Sequence, residues 1–266
     1  RPCSTSPPHA PFDFHTREYQ KGLQLYSSGV LIMDKCADLL PDCFSFVKGL
    51  VDSQDLSLNI SREMLQHDRQ LKLIASRLEK KIASELQSML NNDREKYEQF
   101  WKAFGLQLKY GMYDNYGAKK DELKDLVLFT SSAEKKLTSL KEYVSRMKPE
   151  QKYIYYASGD SVEAVDHLPQ TELLKDRSME ILYFTDKTDE FIPDIFRTYG
   201  DKAFRSAVDG DLELEDEKQP ETADHQETLD FLKETLGSRV DQVKASGKMK
   251  SHPVCLTAGE GLSFEM

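Results

Sequence analysis

The sequence predicts a mixed α/β protein, α+β overall, on three observations. Between residues 152 and 207, short apolar runs alternate with stretches of helical spacing, which implies parallel strands joined by crossover helices. Between 71 and 89, apolar residues recur every three or four positions, the mark of a long amphipathic helix. A dense acidic run after 208 then separates these parts from one last helical segment. The chain has 266 residues, 39% of them hydrophobic, so it can bury a real core and is long enough for two domains.

Taken in order, "GLQLYSSGVLIMD" (22–34) alternates and then runs apolar, which predicts a strand near the end of a sheet. "CADLLPDCFSFVKGLVD" (36–52) places Leu39, Leu40, Phe44, Val47 and Leu50 at helical spacing, with a proline inside or at a boundary. The stripe Leu71, Ile74, Leu78, Ile82, Leu86 and Met89 follows. Asn92, three residues before Glu95, resembles a capping box that starts a helix with an aromatic face of Tyr97, Phe100, Trp101 and Phe104. "KKDELKDLVLF" reads as a third helix, and the three in series as a small helical connector.

Beyond 150 the pattern changes. "KYIYYASGD", "MEILYFTD" and "KAFRSAV" read as strands. "SVEAVDHLPQTELLKDR" reads as a helix interrupted near Pro169, and "KTDEFIPDIFRTYG" as a second helix. "ETLDFLKETLGSRVDQVKAS" predicts a helix stopping near Gly237, and "HPVCLTA" a further strand.

Charge excludes one class of partner. From Asp209 to Glu227 nine acidic residues face a single Lys218, so eight of the ten net negative charges fall there. Such a run reads as a solvated linker. No basic stripe exists, which argues against nucleic acid. No run of about 18 apolar residues exists, so no membrane-spanning helix is expected. Cys3, Cys36, Cys43 and Cys255 are scattered and the six histidines show no metal spacing, so no metal site is expected. Cys36 and Cys43 read as buried free thiols on one helix face, in a reducing, cytoplasmic setting. The first ten residues read as a disordered lead-in.

Local motifs give little chemistry. The strand ends "ASGDS" and "FTDKTDE" carry no phosphate-cradling glycine pattern. Asp186, Asp189 and Glu190 could form an acidic site, although Asp186 and Asp189 read more simply as a turn residue and a helix N-terminal carboxylate. Trp101 reads as core, whereas Phe191 follows two acids at a helix start and would mark a binding surface if exposed. "LSLNISREMLQ" (56–66) sets Arg62 and Gln66 four apart, on one helical face, after the turn-forming Asn59 and Ser61. Arg62 is either an ordinary surface arginine or one held out to meet an anion such as a phosphate.

"FVKGLVDSQDLSLNISREMLQ" resembles the catalytic-loop signature of the ninety-kilodalton heat-shock protein chaperone family, of the bacterial HtpG type. The resemblance extends through "GLQLYSSGVLIMD", "EKYEQFWKAFGLQLKYG", "LKEYVSRMKPEQKYIYYASGDS" and "EILYFTDKTDEF", roughly residues 11 to 266. It implies an order of parts: the end of a large α/β unit (11–60), a helical connector (61–148), a small α/β unit (149–208), an acidic linker (209–227) and the start of a C-terminal α+β domain (228–266). The family's amino-terminal ATP-binding domain and its dimerising helices would lie outside this chain.

The resemblance also assigns roles. Arg62 would reach the terminal phosphate of ATP held by the amino-terminal domain, with Gln66 and Asn59 supporting the loop. ATP and Mg2+ would belong to the full-length protein only, and the chain alone would be an inactive monomer, the homodimer requiring full length. Unfolded client proteins would be partners, engaged at Glu190, Phe191 and Asp194. Phe191 would stand where some members carry a tryptophan. Where members often carry an arginine before "VFIMD", this chain reads "LYSSGVLIMD", so that contact does not transfer. A stand-alone interaction scaffold with no nucleotide role, and an α/β enzyme using the acids near Asp186, are the competing readings.

Overall fold

The computed structural model describes residues 2–5, 21–54, 56, 69–209, 212, 226–245 and 254–256. It is the mixed α/β architecture expected, divided into two compact units. The first comprises Arg1–Phe129, Leu137–Ser145 and Asp194–Arg197, and the second Thr130–Lys136, Arg146–Pro193 and Thr198–Met266.

The first unit holds a four-stranded sheet of β1 (Pro2–Thr5), β2 (Leu23–Ser27), β3 (Val30–Cys36) and β4 (Lys48–Asp52), in the order β1–β4–β2–β3. The single strand expected over 22–34 is a hairpin. Ser28 and Gly29 take φ of 48° and 80°, the left-handed backbone that a two-residue turn matched to strand twist requires. β4 runs parallel to β2, with Leu25 opposite Val51, both buried.

The helix expected over 36–52 does not form. Two short 3-10 turns, Ala37–Leu39 and Asp42–Phe44, lead instead into β4. Pro41 lacks an N–H and forces extended backbone on Leu40 (φ −136°, ψ 134°), which stops a helix there. Leu39, Leu40, Phe44 and Val47 are nonetheless buried, so their spacing reported tertiary burial. Cys36 ends a strand and Cys43 sits in a 3-10 turn; both are buried free thiols.

The long helix is α1 (Arg69–Asn92), which buries Leu71, Leu78, Leu86 and Leu90. α2 (Arg94–Tyr113) follows after one residue. Its N-cap is Asp93, whose carboxylate accepts from the Lys96 N–H at 3.3 Å, not Asn92, which remains inside the last turn of α1. The aromatic face of α2 is core as expected, with Tyr97, Phe100, Trp101 and Phe104 all buried. Phe46 wedges against it, 5.1 Å from the Phe100 ring centroid and 5.0 Å from that of Phe104. The expected third helix shrinks to one turn, α3 (Lys120–Leu123). Leu126, Val127, Leu128 and Phe129 are all buried, and consecutive burial suits extended chain better than a one-sided helix.

The second sheet has the order β6–β5–β8–β7–β10–β9, built from β5 (Leu128–Ser131), β6 (Leu137–Ser139), β7 (Tyr153–Ser158), β8 (Ile181–Phe184), β9 (Thr198–Tyr199) and β10 (Lys202–Ser206). The expected parallel pairing holds for β7 with β8 and with β10. Antiparallel β5 and β9 extend it on either side. α4 (Leu140–Arg146) follows β6. The crossover from β7 to β8 is α5 (Val162–Asp166), a 3-10 turn at Pro169–Thr171 and α6 (Glu172–Asp176), the interruption that Pro169 predicts. Val165, Leu174, Ile181 and Tyr183 anchor the core of the second unit. After β8 come a 3-10 turn, Asp189–Phe191, and α7 (Ile192–Phe196). α8 (Gln226–Leu236) stops at Gly237, whose φ of 59° is the usual left-handed helix stop. Residues 254–256 show no strand, and the rest of the strand expected there lies outside the described residues. Among the described residues no helix is long and apolar enough to cross a membrane.

Candidate functional site

Arg62, Gln66 and Asn59 lie outside the described residues, but both flanks of their segment are placed. On the upstream side Leu56 is buried, and its carbonyl accepts from the Ser27 hydroxyl at 2.6 Å. The Ser53 N–H donates to the Tyr26 carbonyl at 3.1 Å, and the Gly29 N–H to the Asp52 carboxylate at 3.2 Å. On the downstream side Leu71 is buried in the first turns of α1. "LYSSG" (25–29) therefore has a local task. Ser27 ties the hairpin to the chain entering the Arg62 segment, and Ser28 and Gly29 close the turn.

The residues expected to meet clients divide between the units. Glu190 and Phe191 lie in the second and Asp194 in the first. Phe191 is 48% exposed, and its direction follows from the turn beneath it. The all-apolar β8 is buried at every position, and the chain leaves it through Thr185–Thr188. Asp189 then turns inward. It is buried, its Oδ2 accepts from the Asp186 N–H at 3.2 Å, and its own N–H donates to the Asp186 carbonyl at 2.8 Å. Ile192 is also buried, so with 189 and 192 facing in, residue 191 must face out. Glu190 is half-buried beside it, and Asp194 is exposed. Asp189 thus stands at the start of the 3-10 turn with its carboxylate turned back on the Asp186 N–H, and among the described residues no acidic cluster could hold a metal.

Two charge networks went unforeseen in the sequence. In the second unit, Asp166 accepts from the Tyr183 hydroxyl at 2.5 Å and from Lys135 Nζ at 2.6 Å, with Lys175 Nζ 3.1 Å away. Lys135 and the tyrosine hydroxyl hold the carboxyl well below the usual carboxylate range. Burial, and then this hydrogen bond, push the Tyr183 phenol above its ordinary value, so it stays a donor. In the first unit, Ser139 and Glu142 form a capping box at α4. The Glu142 carboxylate accepts from the Ser139 N–H at 2.8 Å, and Ser139 Oγ accepts from the Glu142 N–H at 3.2 Å. Arg94 bridges Glu142 at 2.7 Å and the Leu137 carbonyl at 2.5 Å. Burial opposes the Glu142 charge, but the Ser139 N–H and Arg94 prevail and lower its pKa. These networks link elements distant in sequence, which single-sequence spacing cannot reveal.

None of this is nucleophilic machinery. Burial pushes the Cys43 thiol up to about 12, which keeps it protonated and inert near neutrality.

Comparison with known proteins accords with the resemblance read from the motifs. The model of the Hsp90 protein family matches residues 5–266. The chain is 59% identical to the chaperone protein HtpG of Oceanobacillus iheyensis over 264 residues, and 58% identical to that of Bacillus subtilis (strain 168) over 265. It is also 58% identical to that of Clostridium acetobutylicum over 263 residues. Each alignment covers 98% of this chain and 42% of the relative, so the chain spans less than half the length of these curated relatives. A family match over nearly every residue, with identity near three-fifths, leaves one assignment: the chain belongs to the Hsp90 protein family.

Proposed function

We propose that the chain is the part of an ATP-dependent chaperone that binds unfolded polypeptide and completes the ATPase site of a separate nucleotide-binding domain. The observation that carries this reading is the identity of about 58% over 98% of the chain to proteins named as HtpG chaperones. The half-exposed Phe191, held outward by a buried Asp189 and Ile192, supports the polypeptide-binding part. A rigid aromatic presented at a surface gives contact area at little entropic cost, and tolerates varied sequences. In this reading Arg62 supplies the planar guanidinium that meets charge on the terminal phosphate, with Gln66 and Asn59 shaping its loop. Glu190, Phe191 and Asp194 meet the client. ATP and Mg2+ belong to the complete protein, which works as a cytoplasmic homodimer.

Titration of an unfolded model client against the wild-type chain and against Glu190→Lys with Phe191→Ala tests the client site. Several-fold weaker binding with an unmoved melting midpoint is the expected result, because an exposed phenylalanine contributes little to the core. Unchanged client affinity with a lowered midpoint would show that Phe191 is structural.

A further inference from the structure

The C-terminal end of α2, within the first unit, borders a cavity of about 590 Å³ that the function above does not use. Tyr110, Tyr113 and Tyr116 line it, with Asp42, Gln107 and Asp114. Tyr110 is 52% exposed and Tyr116 wholly so. Asn115 (φ 49°, ψ 47°) and Tyr116 (φ 57°, ψ 35°) are consecutive left-handed residues. That backbone is unfavourable for a tyrosine, and such residues concentrate at ligand clamps. Nothing in the apolar core explains the placement, since Tyr116 touches solvent on all sides.

The two charged side chains that line the cavity, Asp42 and Asp114, are both acidic. Asp114 is exposed, and no cation pairs with it among the described residues. Asp42 is engaged by Lys21, and its carbonyl accepts from Gln107 Nε2 at 2.9 Å, so it shapes the wall. The α2 helix of 20 residues ends here, which adds the negative end of its dipole. Tyrosine faces, a carboxylate and a helix C-terminus each favour a cation, and arginine suits all three through stacking and its planar fork.

We propose that this groove binds an arginine side chain of an extended polypeptide, between Tyr110 and Tyr116 and against Asp114. The inference rests on the chaperone reading only in naming unfolded polypeptide as the bearer of that arginine. It makes the groove a second point of polypeptide contact, separate from Phe191.

The test titrates the intact chain, by fluorescence anisotropy, with a labelled unstructured peptide carrying a central arginine, and with its citrulline counterpart. Citrulline keeps the shape and removes the charge. The arginine peptide is expected to bind about fivefold tighter, the product of one exposed cation–π contact and one exposed ion pair. Asp114→Asn and Tyr116→Asn should each cut that preference to about twofold, each removing one of its two contributions, without moving the melting midpoint. Asparagine tolerates the left-handed backbone, so the second variant keeps the loop. Equal affinity for the two peptides, or a preference undiminished in both variants, overturns the proposal. Failure here beside a client site that still responds to Phe191→Ala leaves the chaperone reading intact. An arginine preference in a chain that binds no unfolded client retains the groove and removes that reading.

Discussion

Removing the Asp166 carboxylate is the sharpest probe of how the second unit is held. Asp166→Ala leaves the Tyr183 hydroxyl in a residue that is only 1% exposed, without the acceptor 2.5 Å away. An abandoned buried donor costs about 1–3 kcal/mol. The Lys135 pair is weak by comparison, because that lysine is 60% exposed, and it adds about 0.5 kcal/mol. The expected loss is therefore about 1.5–3.5 kcal/mol. Asp166→Asn keeps an acceptor for Tyr183 and should cost about 1 kcal/mol. Tyr183→Phe removes the stranded donor, so the double variant with Asp166→Ala should be less damaged than the sum of the singles, by about 1 kcal/mol. The Asp166 pKa is depressed on folding, so its contribution is present above the unfolded value of about 4 and fades as pH falls below it. Urea unfolding of the wild type and the four variants, followed by circular dichroism at neutral pH and near pH 3, measures all of this. Equal losses for Asp166→Ala and Asp166→Asn, or a gap between wild type and Asp166→Asn that persists undiminished at pH 3, would refute the clamp.

Other consequences are simpler to test. Gly111→Ala should lower stability by about 1–3 kcal/mol in thermal unfolding, because its new Cβ would meet Cys43 Cβ at 2.3 Å. Glu142→Ala removes half of the α4 capping box and the Arg94 bridge, and should cost about 1–2 kcal/mol by denaturant titration, more at neutral pH than near pH 3. In a protein rebuilt with a family ATP-binding domain, Arg62→Ala should cut turnover sharply while ATP affinity stays nearly unchanged, and Arg62→Lys should rescue poorly. Steady-state ATPase rates and nucleotide titration decide it, and equal rates for wild type and Arg62→Ala would end the split-site reading.

The sequence alone determined the mixed α/β class, the long helix α1, the parallel core of the second sheet, and family membership through several ordered motifs. Periodicity suffices where one face of an element is buried along its whole length, as in α1 and the aromatic stripe of α2. It also pointed to Phe191 as a misplaced apolar residue, but only the turn built on Asp189 and Ile192 decides that this side chain faces water. Tertiary structure alone decided the stretch from Ala37 to Asp52. There helical spacing was produced by two turns and a strand feeding one core, with Pro41 blocking the helix that the spacing mimics. The Asp166 clamp, the Arg94–Glu142 bridge and the tyrosine groove were likewise invisible in sequence. Each depends on side chains or backbone angles brought together by long-range packing or a local left-handed turn, and neither leaves a periodic trace in the order of residues.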